Sequence, residues 1–249
     1  MHPMLNIAIQ VVRLVGKIVF QYYEFPQEYK KKNISKIQDY IFNIARKRIK
    51  NSYSNHTILY QKKKNNSLQK NGIHWILNPI VGKNNFIKCF PHFAIMASIF
   101  FGKKIKIAVV YDPMKNEIFS AIRGRGAQIN GYRIRVGSVK NVNFSTFSSD
   151  YFYKKNEKVN KKIKKFERIF SNSKYFLSTG CQILDTVYVS SGRIDFILQK
   201  ETKYLFNNYL VNELFITESG GIIKKIAIKK DNFIILGNPY LVNKILLLK

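Results

Sequence analysis

Residues Phe93 to Gly137 read FAIMASIFFGKKIKIAVVYDPMKNEIFSAIRGRGAQINGYRIRVG, and this stretch decides the architecture. Short apolar runs are bounded by turn residues, Asp112-Pro113 with Asn116 in one place and Asn130-Gly131 in another. The Asn-Gly pair is a strong hairpin signal, because both central positions of that turn favour positive φ. The stretch therefore predicts an antiparallel meander. Its glycines, in RGRGAQING from Arg123 to Gly131, are read as turn residues. A phosphate-cradling glycine loop opens a helix after a strand, whereas this one lies inside a hairpin.

Downstream the pattern alternates. A charged amphipathic helix is expected around Val159, Ile163, Phe166 and Phe170, then a helix over QILDTVYVSSG capped by Gly192, then the strand RIDFIL. The helix YLVNELFITESGG ends at Gly220, and the strands GIIKKIAI and NFIILG lead to a last helix after Pro239. Strands alternating with helices imply an α/β lobe. Upstream, MHPMLNIAIQVVRLVGKIVFQYYE reads as an amphipathic helix burying Leu5, Ala8, Val12, Val15 and Val19, with Pro3 tolerated in the first turn. Gln10, Arg13 and Lys17 interrupt its apolar face at helical spacing, well short of a membrane span. The stretch ISKIQDYIFNIARKRIKN has a helical rhythm through Ile34, Ile37, Ile41 and Ile44, HTILYQ reads as a strand, and Lys62 to Gly72 as a polar loop. The apolar strand WILNPI then runs into a turn built on Pro79 and Gly82. The fold class expected is α/β, with a mixed α+β N-terminal lobe over 1–138 and an α/β C-terminal lobe over 139–249.

With 46% hydrophobic residues in 249, the chain can bury a substantial core. Two cysteines far apart, Cys89 and Cys181, argue against a disulfide framework or a cysteine metal site, and the expected location is cytoplasmic. Lys and Arg number 43 against 14 Asp and Glu, a net charge of +29. Such a field attracts nucleic acid. The basic runs are nevertheless spread along the whole chain, as Asn- and Lys-rich codon bias would leave them. Neither reading wins on charge alone. The histidines His56, His74 and His92 have no close-set spacing that would make a zinc site, and no serine or cysteine stands in a recognisable nucleophile arrangement.

Taken together, WILNPIVGKNNFI, RGRGAQINGYRIR, SSGRID, NELFITESGG and GNP resemble the inositol monophosphatase family in order and spacing, over nearly the whole chain. The resemblance implies a layered αβαβα sandwich of the sugar-phosphatase type. It also implies hydrolysis of a phosphate monoester with Mg²⁺ held by carboxylates, since this hard cation takes oxygen ligands and paired ions clamp the attacking and leaving oxygens. Carried over residue by residue, however, the carboxylates are missing. The family's Glu-Glu pair falls on Gln61 and Lys62. Its Asp-Pro-x-Asp-Gly-Thr turn falls on Asn78 to Lys83 with Val81 at the second Asp, its Trp-Asp pair on Asn207 and Asn208, and an earlier Asp on Ala45.

A check without alignment agrees, for no Asp or Glu occurs between Asp39 and Asp112. A lysine at position 62 would repel a divalent ion at about 4 Å by roughly 8 kcal/mol at an effective dielectric near 20. The expectation is thus a pseudoenzyme with no catalytic and no metal site, degenerate at Ala45, Lys62, Asn78, Val81 and Asn208, and with no cofactor. The substrate loop, here Gly180, Cys181 and Gln182, departs from the family's pattern as well. The alternative is a residual Mg-dependent inositol-1-phosphate phosphatase using Glu201, where the family places a substrate-contacting Glu.

The resemblance is strongest to a bacterial branch that serves as a Nus-type factor. It implies non-catalytic work in ribosomal RNA antitermination, with RNA polymerase, NusA, NusB, NusE, NusG and nascent rRNA as partners, and a homodimer as a further possibility.

Overall fold

The computed structural model describes residues 2–25, 34–61, 68–149, 171–201, 206–228 and 231–247. The expected helix around Val159 to Phe170 lies outside them. Two sheets form the frame. The first runs in chain order, β1 (Thr57–Tyr60), β2 (Ile73–Val81), β3 (Ala94–Phe101), β4 (Lys104–Asp112), β5 (Glu117–Ile122), β6 (Gly126–Ile129) and β7 (Tyr132–Arg133). Each neighbour pair is antiparallel except β1 with β2, so the expected meander is present. The second comprises β8 (Thr146–Ser148), β9 (Tyr175–Leu177), β10 (Phe196–Lys200), β11 (Ile222–Ile228) and β12 (Asp231–Gly237), in the spatial order β11-β12-β10-β8-β9. There β8 pairs parallel with β9 and β10, and the β11–β12 hairpin adds antiparallel.

Helices fill and cover these sheets in five layers. Helices α1 (Pro3–Glu24) and α2 (Ile34–Ser52) lie on one face of the first sheet, burying Val12 and Ile41 with Trp75, Ile99 and Val109. Beyond α3 (Lys83–Ile87), helices α4 (Gln182–Ser190) and α5 (Phe206–Glu218) fill the space between the sheets. There Val187 and Phe215 meet Met96 and Phe119 from the first sheet and Ile234 from the second. Helix α6 (Pro239–Leu247) closes the far face against Phe196 and Phe233.

Strand β3 shows why its sequence is a continuous apolar run. Ile95, Ala97 and Ile99 face α1 and α2, while Ala94, Met96 and Phe100 face α4 and α5. A strand covered on both faces loses the polar alternation of a half-exposed one. Helix α1 is long and apolar enough by composition to cross a membrane, but its stripe Leu5, Ala8, Val11, Val12, Val15, Gly16 and Val19 is buried in this protein's own core. That stripe contains the five positions expected from periodicity.

Sequence reading placed Pro79 in a turn, and the structure carries β2 on through it to Val81. Asn78 pairs with Met96 and Val81 with Ala94, so Pro79 and Ile80 bulge opposite one residue. A bulge is where a strand tolerates a residue with no N–H to give to the ladder. The chain then turns at Gly82, whose φ of 82° is left-handed. That turn also needs a residue without Cβ, which would stand 3.1 Å from the Cys181 side chain and the His92 carbonyl.

Candidate functional site

Four of the positions singled out by the resemblance converge in space. Gln61 follows β1 and is held by its N–H to the Leu77 carbonyl at 3.1 Å. Asn78 sits at the bulge of β2, and Asn207 and Asn208 lie in the first turn of α5. Gln61 is the hub. Its Oε1 accepts from Asn207 Nδ2 at 3.2 Å and from Asn78 Nδ2 at 3.4 Å, and its Nε2 donates to Asn208 Oδ1 at 2.6 Å. Ser98 extends the chain of bonds, with Oγ 3.0 Å from Asn207 Oδ1 and 3.4 Å from the Ile76 carbonyl. Ser98 is fully buried, and its even position on β3 aims it at α5. Sequence reasoning missed it, although a lone hydroxyl in AIMASIFF was a visible signal.

The other positions go elsewhere. Ala45 is buried in the apolar layer between α2 and the first sheet. Val81 lies at the end of β2, where its carbonyl is 3.7 Å from Cys181 Sγ, so the turn that the resemblance aligns with the family's metal turn and the Gly180–Gln182 loop are neighbours. Glu201, just past β10, has its carboxylate on Lys225 Nζ at 2.5 Å. Lys62 falls outside the described residues.

The chemistry of the cluster follows from its donors. Carboxamides are neutral and carry both N–H and C=O, so they satisfy one another without a cation. Carboxylates gathered in the same place would have only oxygens to present and would need a metal between them. Mg²⁺ asks for near-octahedral oxygen coordination and gives up its water reluctantly. Here the Oδ1 or Oε1 atoms of Gln61, Asn207 and Asn208 already accept hydrogen bonds. No group of three or more His, Cys, Asp or Glu that could hold a metal stands together among the described residues. The residues present do not fit the ion.

The histidines part company as their spacing implied. His56 Nδ1 accepts from Trp75 Nε1 at 3.0 Å and the ring stacks on Tyr53; burial, and then Lys50, lower its pKa. A His74 ring nitrogen is 3.2 Å from the Asn71 carbonyl. His92 Nε2 is 3.6 Å from Asp185 Oδ1. Asp185 is fully buried on α4 and accepts from Ser148 Oγ at 2.5 Å and Thr179 Oγ1 at 2.8 Å. Asn85 Nδ2 bridges the same region, 2.7 Å from the His92 carbonyl and 2.8 Å from that of Thr179. Polar side chains thus fasten the segment after β2 to the loop before α4.

The chain is similar to known proteins over most of its length. The profile of the Inositol monophosphatase family matches residues 1–233. The chain is 37% identical to the Nus factor SuhB of Buchnera aphidicola subsp. Schizaphis graminum over 234 residues, 90% of this chain and 85% of that one. It is 31% identical to the Nus factor SuhB of Escherichia coli K12 over 245 residues, 96% of this chain and 90% of that one. Among solved structures, the extragenic suppressor protein SuhB of Bartonella henselae superposes with a TM-score of 0.80 at 20% identity, covering 99% of both chains. The Thermotoga maritima IMPase does so with a TM-score of 0.80 at 21% identity, covering 99% of this chain and 96% of that one. At those identities the structural likeness establishes the αβαβα fold and nothing finer.

Proposed function

The chain belongs to the inositol monophosphatase family, and from that premise we propose that it acts as a non-catalytic Nus-type transcription factor, contributing its surfaces rather than phosphate hydrolysis. The observation that carries the reading is the carboxamide cluster. Where the family's reaction needs clustered negative charge to hold Mg²⁺, this chain has Gln61, Asn78, Asn207 and Asn208 bonded to one another. The similarity to Nus factors named SuhB, at 31% and 37% identity over most of the chain, supports the transcriptional role. On this reading the protein works in the cytoplasm within the ribosomal RNA antitermination complex. Its partners there are RNA polymerase, NusA, NusB, NusE, NusG and nascent rRNA.

Affinity purification of the tagged chain from its own cells tests the proposal. RNA polymerase subunits and NusA should be enriched over an untagged control. A purification that brings down neither would sink the transcription reading.

A further inference from the structure

Cations scattered along the sequence converge at one end of the first sheet. There β2 begins at Ile73 opposite the end of β3 at Phe101, β4 begins at Lys104, β5 ends at Ile122 and β6 begins at Gly126. The loops and turns closing this end carry Lys70, Lys103, Lys104, Arg123 and Arg125, all exposed. Arg133, also exposed, joins them, its Nε 3.5 Å from where a Cβ on Gly126 would stand. Against these six cations, the carboxylate hydrogen-bonded to these turns among the described residues is Glu218, which accepts from Gly124 N–H at 2.7 Å and Gly126 N–H at 2.8 Å. At the opposite end of the sheet, Asp112 and Glu117 stand side by side where β4 passes into β5. Lys115 in that turn and Arg193, bidentate on Glu117, offset these two acids, so the excess of positive charge lies at the first end.

We infer that this basic end is a docking face for an RNA backbone, recognised through phosphates and not through bases. Three features select that occupant. From β2 to β6 the cations span four strand spacings, about 19 Å at ~4.8 Å each, which suits a repeating polyanion better than one small anion. Exposed large apolar side chains, such as Ile87, Phe90, Tyr175 and Tyr240, lie outside these turns. Protein interfaces centre on such anchors, whereas nucleic-acid interfaces are polar and strongly basic. The β5–β6 turn also presents two guanidinium groups, Arg123 and Arg125, which match phosphate oxygens bidentately. The inference rests on the transcription reading only in choosing RNA as the polyanion.

The test is fluorescence anisotropy of a fluorescein-labelled 20-nucleotide oligouridylate titrated with the purified full chain in rising KCl. The triple variant Lys70→Gln, Lys104→Gln, Arg125→Gln should bind on the order of ten-fold more weakly, and its slope of log K against log salt should flatten by about 2, three contacts at ~0.7 each. The control triple Lys17→Gln, Lys36→Gln, Lys47→Gln, exposed on α1 and α2, should change affinity by less than about two-fold. Binding of RNA to the unsubstituted chain should also shield Lys70, Lys103 and Lys104 from amine acetylation, read by mass spectrometry without any variant.

Equal losses in the two triples, or no binding by the unsubstituted chain, would overturn the inference. Labelled polyglutamate bound as tightly as the RNA would transfer the face to an acidic protein, and duplex DNA bound more tightly than oligouridylate would transfer it to DNA. Polymerase co-purification retained by a triple that no longer binds RNA would support this face and leave the transcription reading standing. RNA binding on this face without polymerase enrichment would remove the transcription reading alone.

Discussion

Gln61 concentrates on one side chain what the family distributes over a metal ion and its ligands. Its amide bonds three asparagines, two of them 146 and 147 residues away, and so joins the β1–β2 edge of the first sheet to α5. Replacing it with Ala leaves the buried Asn207 amide and the Asn208 carbonyl without that partner. An unsatisfied buried polar group costs about 1–3 kcal/mol. Gln61→Ala should therefore destabilise by that amount, measured by urea unfolding with Trp75, the chain's single tryptophan, as the fluorescent probe; an unchanged midpoint would mean the cluster holds nothing together. That positions 78 and 208 carry neutral amides was legible from residue type. The hub was not, because a hydrogen bond between residues 61 and 208 depends on how the layers stack, which no local pattern reports.

Elements were legible where one face of a helix or a tight turn decides them. The apolar stripe of α1, the Asn130-Gly131 hairpin and the glycine ends at Gly192 and Gly220 all follow from local chemistry, and each of Asn130, Gly131, Gly192 and Gly220 has positive φ. The continuation of β2 through Pro79 was hidden, since a proline punctuates a strand unless a bulge absorbs it. Helix α1 also carries a packing constraint that periodicity does not disclose. Gly16 faces Tyr111 on β4, and a Cβ there would stand 2.3 Å from the ring Cε1. The ring is not loose, for its hydroxyl lies 3.0 Å from Asn116 Oδ1. Ala gains up to about 1 kcal/mol over Gly in a helix interior, whereas overpacking a core costs about 1–3 kcal/mol. Crowding should win: Gly16→Ala is expected to lower the unfolding midpoint in urea, and a raised midpoint would show that the layer can give way.

At the scale of the whole molecule, the five layers share their core. One apolar cluster takes Met96 and Phe119 from before residue 138 and Val187 and Ile234 from after it, a union that reading the halves separately does not reveal. The chain should neither take up Mg²⁺ at millimolar concentration in a calorimetric titration nor release phosphate from inositol 1-phosphate above a heat-inactivated control. Val81→Asp alone should not rescue either property, because octahedral Mg²⁺ needs several oxygens at once. Metal-dependent turnover by the unmodified chain would instead establish the phosphatase alternative. The carboxamide cluster has a further consequence, which concerns ancestry. An aspartate at the half-buried Asn208, where the family carries its Asp, would set an anion among amides with no counter-ion among the described residues, and an uncompensated charge taken out of water is costly. Mg²⁺ would neutralise that anion only once several oxygens stood together. On the pseudoenzyme reading each such substitution is uphill until the others are complete, which makes the cluster a one-way door: change that starts from it reaches new surfaces more readily than a metal site.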